Sequence, residues 1–235
     1  MKAHTDFDRV RAETPYGELV LQVRRTGRPS AALILAGTFL MDSDVSVSEE
    51  ALARRALAAH AAQAAGGPPL RVLVAGLGLG ITLRELLASE RVAEVVVVEI
   101  LAPLVEWNRT HLAALNGQAL ADPRVTCVVE DVRHILAPPP GPAVPRYDLL
   151  LFDTDNGPTW LSIPANAWLY EPEGLRCMEQ WLAPGGVAAF WATEKSAAFA
   201  EVLARCALTW REEIIGWEDP GSGRRLEYAL YLVTK

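Results

Sequence analysis

LRVLVAGLGLGITLRELLA, residues 70–88, is the stretch on which the reading of the fold turns. Its first seven residues, LRVLVAG, are a near-continuous apolar run, the pattern of a strand buried on both faces. Gly76, Gly78 and Gly80 follow at alternate positions, and ITLRELLA then reads as a helix. A strand running through glycines into a helix lets the backbone turn tightly and approach a ligand closely. Spacing of this kind also serves a plain β-to-α turn, so the neighbouring segments must decide.

The pattern repeats downstream. VAEVVVVEI (92–100), RVTCVVED (124–131), YDLLLFDTD (147–155) and GGVAAFWATE (185–194) read as further strands. Between them, LAPLVEWNRTHLAAL, EPEGLRCMEQWL and SAAFAEVLARCAL read as helices. Apolar strands alternating with helices predict an α/β chain with a parallel sheet covered on both faces. The tail, TWREEIIGWED and RRLEYALYLVTK, predicts a terminal antiparallel hairpin around DPGSG. Upstream, residues 15–41 carry YGELVLQVRR, a TGRP turn and AALILAG-TFLM, a small antiparallel β unit. MDSDVSVSEEALARRALAAHAAQAA then reads as a helix, with Ser46 or Ser48 as cap and Glu49 and Glu50 complementing its N-terminus, stopped by GGPP at 66–69. The expected division is a β unit over 1–45, a linking helix over 46–69 and a Rossmann-like catalytic domain over 70–235.

The bulk composition limits the function classes. The 235 residues are 51% hydrophobic and 22% charged, which suits a globular chain. A net charge of -7 without a basic stripe argues against a duplex nucleic-acid partner. The apolar stretches are too short to span a membrane, and the N-terminus is too polar for a signal peptide, so a cytoplasmic location is expected. Cys127, Cys177 and Cys206 have neither zinc nor disulfide spacing, and no metal site is expected.

Ligands in such sheets lie beyond the carboxyl ends of the strands. Four ends carry candidates. Gly76, Gly78 and Gly80 form the first. Glu99 closes the second strand about 20 residues past the glycines, where an acid can accept hydrogen bonds from ribose hydroxyls. Glu130 and Asp131 close the third; one can meet an adenine amine, and Asp131 can alternatively cap the next helix. Asp153, Asp155 and Asn156 close the fourth. Asp155 is the candidate to orient or deprotonate an acceptor, against the alternative of a turn-forming aspartate. Trp160, Trp191 and Tyr170 are candidate walls, able to hold a sulfonium or ammonium by cation–π attraction. His134 has no partner for metal or triad chemistry. No GK[ST] follows the glycines, which disfavours a Walker-type phosphate site. The acids at the strand ends favour an adenosine-bearing sulfonium, S-adenosylmethionine or its decarboxylated form, over a nicotinamide dinucleotide.

VLVAGLGLGITLREL, VVVVEI, VVEDVRHIL, YDLLLFDTDNGP and LAPGG, with TPYGELVLQ upstream, together resemble the spermidine synthase (polyamine aminopropyltransferase) family. The resemblance covers about residues 14–195. It implies a methyltransferase-like, seven-stranded sheet, an N-terminal β domain and a homodimer. It also implies aminopropyl transfer from decarboxylated S-adenosylmethionine to putrescine or a similar amine. By position it puts Glu99 at the ribose, Asp131 at the adenine amine, Asp153 beside the aminopropyl or methionine arm, and Asp155 or Asn156 at the acceptor. Three departures stand out. Leu79 replaces the family's glycine-loop aspartate, Asp-Ser-Ser-Asp-Pro becomes DTDNGP, and the family's Gln and Tyr-His-Glu are missing from MDSDVSVSEEALARRAL. Loss of the loop aspartate removes an obstacle to an intact carboxylate. The expectation is therefore a transferase leaning to methyl transfer onto a small acceptor. The alternatives are aminopropyl transfer and a non-catalytic nucleoside-binding protein.

Overall fold

The computed structural model describes residues 7–24, 27, 29–63, 67–219 and 221–235. The polar N-terminal residues 1–6, Arg25, Thr26 and Arg28 in and before the TGRP turn, Ala64, Ala65 and the first glycine of GGPP, and the proline of DPGSG lie outside the described residues.

Two sheets form. The smaller is an antiparallel meander of β1 (Phe7–Thr14), β2 (Gly17–Arg24), β3 (Ala31–Leu35) and β4 (Thr38–Asp42). The larger contains β5 (Leu70–Ala75), β6 (Val92–Glu99), β7 (Val125–Val129), β8 (Tyr147–Phe152), β9 (Leu182–Ala192), β10 (Thr209–Glu218) and β11 (Arg225–Thr234). Its strand order is β10-β11-β9-β8-β5-β6-β7. The five strands from β5 to β9 run parallel, and the β10–β11 hairpin adds antiparallel to β9. This is the α/β, Rossmann-like, seven-stranded methyltransferase fold with a small antiparallel β unit.

The apolar runs are continuous because both faces are covered. Val72 and Val74 of β5 pack on one face, with Leu149 and Leu151 of β8 and with α1 (Val47–Gln63) and α2 (Ile81–Leu87). Leu73 and Ala75 pack on the other, with Leu150, Phe152 and the helices α4 (Val132–Leu136), α5 (Pro172–Trp181) and α6 (Ala197–Ala204). A fully buried leucine is worth about 1.5–3 kcal/mol, so each strand is fixed in register from two sides. A third cluster joins the meander, through Leu19, Leu21, Leu33 and Leu35, to Leu79, Ile81 and α3 (Ala102–Arg109).

Two elements differ from expectation. Strand β1 precedes the expected β unit, in FDRVRAET. Its alternation is masked by charge, because only Val10 and Ala12 pack inward from a mostly solvated strand. The third helix stops at Arg109 rather than running to residue 115. Asn116 Nδ2 donates to the Asn108 carbonyl and side-chain oxygens at 3.0 and 2.9 Å, which folds the following turns back on the helix end.

The strand order reverses at β5. The chain proceeds outward through β6 and β7, then returns to place β8 on the opposite side of β5. That reversal parts the loops at the carboxyl ends and opens a crevice there.

Candidate functional site

The crevice is a cleft built along five consecutive strand ends. Across the sheet these present Trp191 from β9, Asp153 after β8, Gly76 and Gly78 after β5, Glu99 from β6, and Glu130 and Asp131 after β7. Adjacent strands lie about 4.8 Å apart, so the row from Asp131 to Asp153 covers three steps, about 14 Å. Leu33, Leu35, Leu40 and Met41 of the meander, with Leu101 at the start of α3 and Leu104 within it, supply an apolar wall. Glu49 of α1 and the loop residues Asp155, Asn156, Ser162, Ile163 and Asn166 also line it.

The glycines divide by role. Gly76 has φ 87°, and a Cβ there would run into the Asp153 carbonyl, so β5 and β8 approach only over a glycine. Gly78 has φ 51° and faces Met41. Gly80 caps α2 at φ 79°, but it does not line the cleft. Its missing side chain makes room for Asn108 and Asn116 instead.

Glu99 is 5% exposed. Its two oxygens accept from the Leu77 and Leu101 amides, both at 2.8 Å. Burial pushes its carboxyl above the ordinary value, against the pull of those amides. The carboxylate is locked in place while still lining the cleft, the condition for meeting ligand hydroxyls.

Asp131 takes the helix-cap role and also faces the cleft. It caps α4 by accepting from the Arg133 amide at 2.9 Å, and it lines the cleft. Burial alone would raise its carboxyl, but the hydrogen bonds from Arg133 win and hold it low. Glu130 accepts from its neighbour's amide and pairs with His134 Nδ1 at 2.9 Å.

Asp153 is half-buried, and the Thr82 hydroxyl donates to its Oδ2 at 2.7 Å. Desolvation pushes its carboxyl up to about 6. Glu49, 4% exposed, lies at the same place. Burial, then the nearby Asp153 charge, pushes it up to about 7, and the Ser48 hydroxyl donates to it at 2.6 Å. In the sequence Glu49 reads only as a complement to the helix N-terminus. Its spacing carried more, since Leu52 and Ala53, three and four residues on, form the buried face of α1.

The remaining candidates change role. All the lone-pair sites of Asp155 are taken: Oδ1 accepts from the Asn156 and Ser162 amides, and Oδ2 from the Ile163 amide and Asn166 Nδ2. It lines the cleft as the clamp of its loop, and the turn-forming alternative fits this geometry better than the base. Asn156 lines the cleft and ties its loop to β9 through Thr193, whose amide and hydroxyl donate to the Asn156 carbonyl at 3.0 and 2.7 Å. Trp160 is 58% exposed and lies outside the cleft. Tyr170 belongs to the aromatic core with Phe190 and Phe199, where burial pushes its hydroxyl up. Neither Trp160 nor Tyr170 is a cleft wall; of the three aromatics considered, Trp191 alone has that position. Among the described residues no metal-binding cluster of His, Cys, Asp and Glu forms.

The family model for the spermine/spermidine synthase domain matches residues 49–207. The chain belongs to the spermine/spermidine synthase family. Polyamine aminopropyltransferase 2 of Pseudomonas aeruginosa is 35% identical over 159 residues, covering 66% of this chain and 41% of that protein. The polyamine aminopropyltransferase of Aeropyrum pernix is 30% identical over 165 residues, covering 70% and 49%. The chain thus spans about half the length of the curated relatives it matches. Two solved structures share the fold. Spermidine synthase in complex with the transition-state analogue AdoDATO matches with TM-score 0.70 at 18% identity, over 96% of this chain and 71% of that one. Spermidine synthase from Thermotoga maritima gives 0.72 at 17% identity, over 98% and 72%. Within this family frame Leu79, the departure in the glycine loop, is fully buried in the cluster beneath the meander and does not line the cleft.

Proposed function

We propose that this protein transfers an aminopropyl group from decarboxylated S-adenosylmethionine to a small amine such as putrescine. One observation carries the reading. Six carboxyl groups, those of Glu49, Glu99, Glu130, Asp131, Asp153 and Asp155, line the cleft, and no Lys, Arg or His does so among the described residues. Such a site favours a ligand with positive charge and disfavours one bearing a carboxylate. The decarboxylated donor carries a sulfonium and an ammonium, whereas S-adenosylmethionine adds a carboxylate. The lean to methyl transfer rested on Leu79, whose side chain is turned into the core, and the family relatives give it no support.

In this reading Glu99 accepts from the ribose hydroxyls, and Asp131 from the adenine amine. The apolar wall of the meander excludes water from the sulfonium. The acceptor nitrogen attacks the methylene carbon bonded to sulfur. The C–S bond breaks with its electron pair going to sulfur, leaving neutral methylthioadenosine, and the acceptor loses a proton. Alignment of the two reactants supplies much of the rate, since well-oriented reactions reach effective molarities of about 10⁵ M and above.

The test supplies putrescine with each donor in turn. Methylthioadenosine from the decarboxylated donor supports the reading. Adenosylhomocysteine from S-adenosylmethionine restores methyl transfer, and tight nucleoside binding without either product across an amine panel leaves a binding protein.

A further inference from the structure

Helix α1 brings one acid into the cleft for which a purely structural role is hard to find. Glu50, the next residue, is fully occupied on the outer face, with Arg54 at 3.2 Å and Arg84 at 3.1 Å. Glu49 turns inward, where its hydrogen-bond partner is its neighbour's hydroxyl, Ser48 Oγ. The charged and titratable groups around it are Asp153 beyond β8, Asp42 at the end of β4, and Tyr228 of β11. Among the described residues no cation is within ion-pair distance of Glu49 or Asp153. Thr82 ties Asp153 to the backbone of α1: its hydroxyl donates to Asp153 Oδ2 at 2.7 Å and lies 3.4 Å from the Glu49 main-chain carbonyl oxygen.

A second feature also points to a ligand. Trp191 is 8% exposed and lines the cleft, yet its indole N–H meets no acceptor. Its ring packs 5.8 Å from that of Tyr228, the same tyrosine that interacts with Glu49, so Trp191 and Glu49 belong to one wall. A buried indole donor without a partner is costly and calls for an acceptor on the ligand, which an ammonium cannot supply; it is the ring's face, beside two carboxyls, that attracts an ammonium.

We propose that Glu49 and Asp153, walled by Trp191, form a proton-linked subsite for a primary ammonium, and that Glu49 is the specificity-determining residue for that end of the ligand. The inference rests on the aminopropyl reading for the ligand's identity. Two like carboxyls out of water retain a proton between them. An arriving ammonium replaces that proton, which leaves to solvent. Binding therefore releases protons, and affinity for the cation rises with pH across the range from about 6 to 7 in which the pair ionises. The ammonium comes either from the aminopropyl arm of the donor or from the acceptor amine, and both present the same chemistry.

The experiment is calorimetric titration of the wild type and Glu49→Gln with three probes, each in two buffers of different ionisation enthalpy. The probes are methylthioadenosine, which lacks the ammonium, decarboxylated S-adenosylmethionine, and putrescine titrated in the presence of methylthioadenosine. Glutamine keeps the shape and removes the charge. We expect methylthioadenosine affinity to change less than about twofold, which also certifies the folded cleft. For one ammonium probe the variant should lose about tenfold or more in affinity, together with the proton release seen in the wild type. Loss on the donor assigns the arm, and loss on putrescine assigns the acceptor. Unchanged affinity for both ammonium probes overturns the subsite, as does an equal loss for methylthioadenosine. Turnover, read as methylthioadenosine production, separates this from the functional proposal. A wild type that binds the donor with proton release but makes no product sinks the function and keeps the subsite. A variant with wild-type binding and turnover does the reverse.

Discussion

Glu49→Gln should make the ligand-free protein more stable at high pH and leave it unchanged at low pH. Burial and the Asp153 charge raise the Glu49 carboxyl from its ordinary 4.5 to about 7 in the folded chain. The sign follows from proton counting. Between those two values the folded state holds a proton that the unfolded state has lost, so stability falls as pH rises through the window. It is fully present below the unfolded value and lost once pH passes the folded one. At about 1.4 kcal/mol per tenfold change, the gap amounts to about 3 kcal/mol at pH 8. Glutamine fills nearly the same volume and never ionises, so the variant escapes that loss. For 235 residues, an unfolding entropy of about 2.1 cal/mol/K per residue gives about 0.5 kcal/mol/K, and the expected rise in Tm is about 6 °C. Thermal unfolding of both proteins, followed by circular dichroism at about pH 4.5 and about pH 8, measures it. A variant no more stable than the wild type at the higher pH refutes the buried-charge account. An equal gain at both pH values refutes it too, since that gain would owe nothing to ionisation.

Other substitutions separate architecture from chemistry. Gly76→Ala should destabilise by more than about 3 kcal/mol, because φ 87° and the Asp153 carbonyl both oppose a Cβ; soluble yield and Tm report it. Asp155→Ala should lower Tm by several degrees by releasing four donors, while the acidic limb of the pH–rate profile stays in place; disappearance of that limb would restore Asp155 as the base. Trp160→Ser should leave kcat/KM within about twofold and Tm nearly unchanged, since the ring is mostly in solvent, as steady-state kinetics and a melting curve would report.

The sheet was legible because its chemistry is local. A run such as VVVV must be covered on both sides, whatever the rest of the chain does. The acids closing β6 and β7 were legible for a related reason: a carboxylate at the end of an apolar strand calls for partners. Asp155 was harder, because the donors that occupy it come from residues 156–166, and whether a loop folds back on its own aspartate depends on tertiary closure. Trp160 and Tyr170 lie ten residues apart near the cleft, but one side chain faces water and the other the core. Glu49 went unrecognised because two adjacent acids in a first helical turn have a ready explanation in the helix dipole. The apolar stripe separates them: Glu49 shares the face of Leu52 and Ala53, while Glu50 meets arginines.

On the proposed reading, the choice of donor follows from where the charges are, rather than from the glycine loop. Leu79 spends its side chain on the cluster that holds the meander to α3, so its apolar character gives the cleft no tolerance for a carboxylate. At an effective dielectric of about 20, a ligand carboxylate about 5 Å from one ionised acid is opposed by about 3 kcal/mol, a factor of about one hundred or more. The Glu49–Asp153 end presents two such acids once both ionise, and an ammonium there gains what the carboxylate loses. Protonating the pair weakens both effects together. On the proposed reading, discrimination between the decarboxylated and intact donors is therefore itself a function of pH, small where the pair is neutral and largest above about 7, where both acids carry charge.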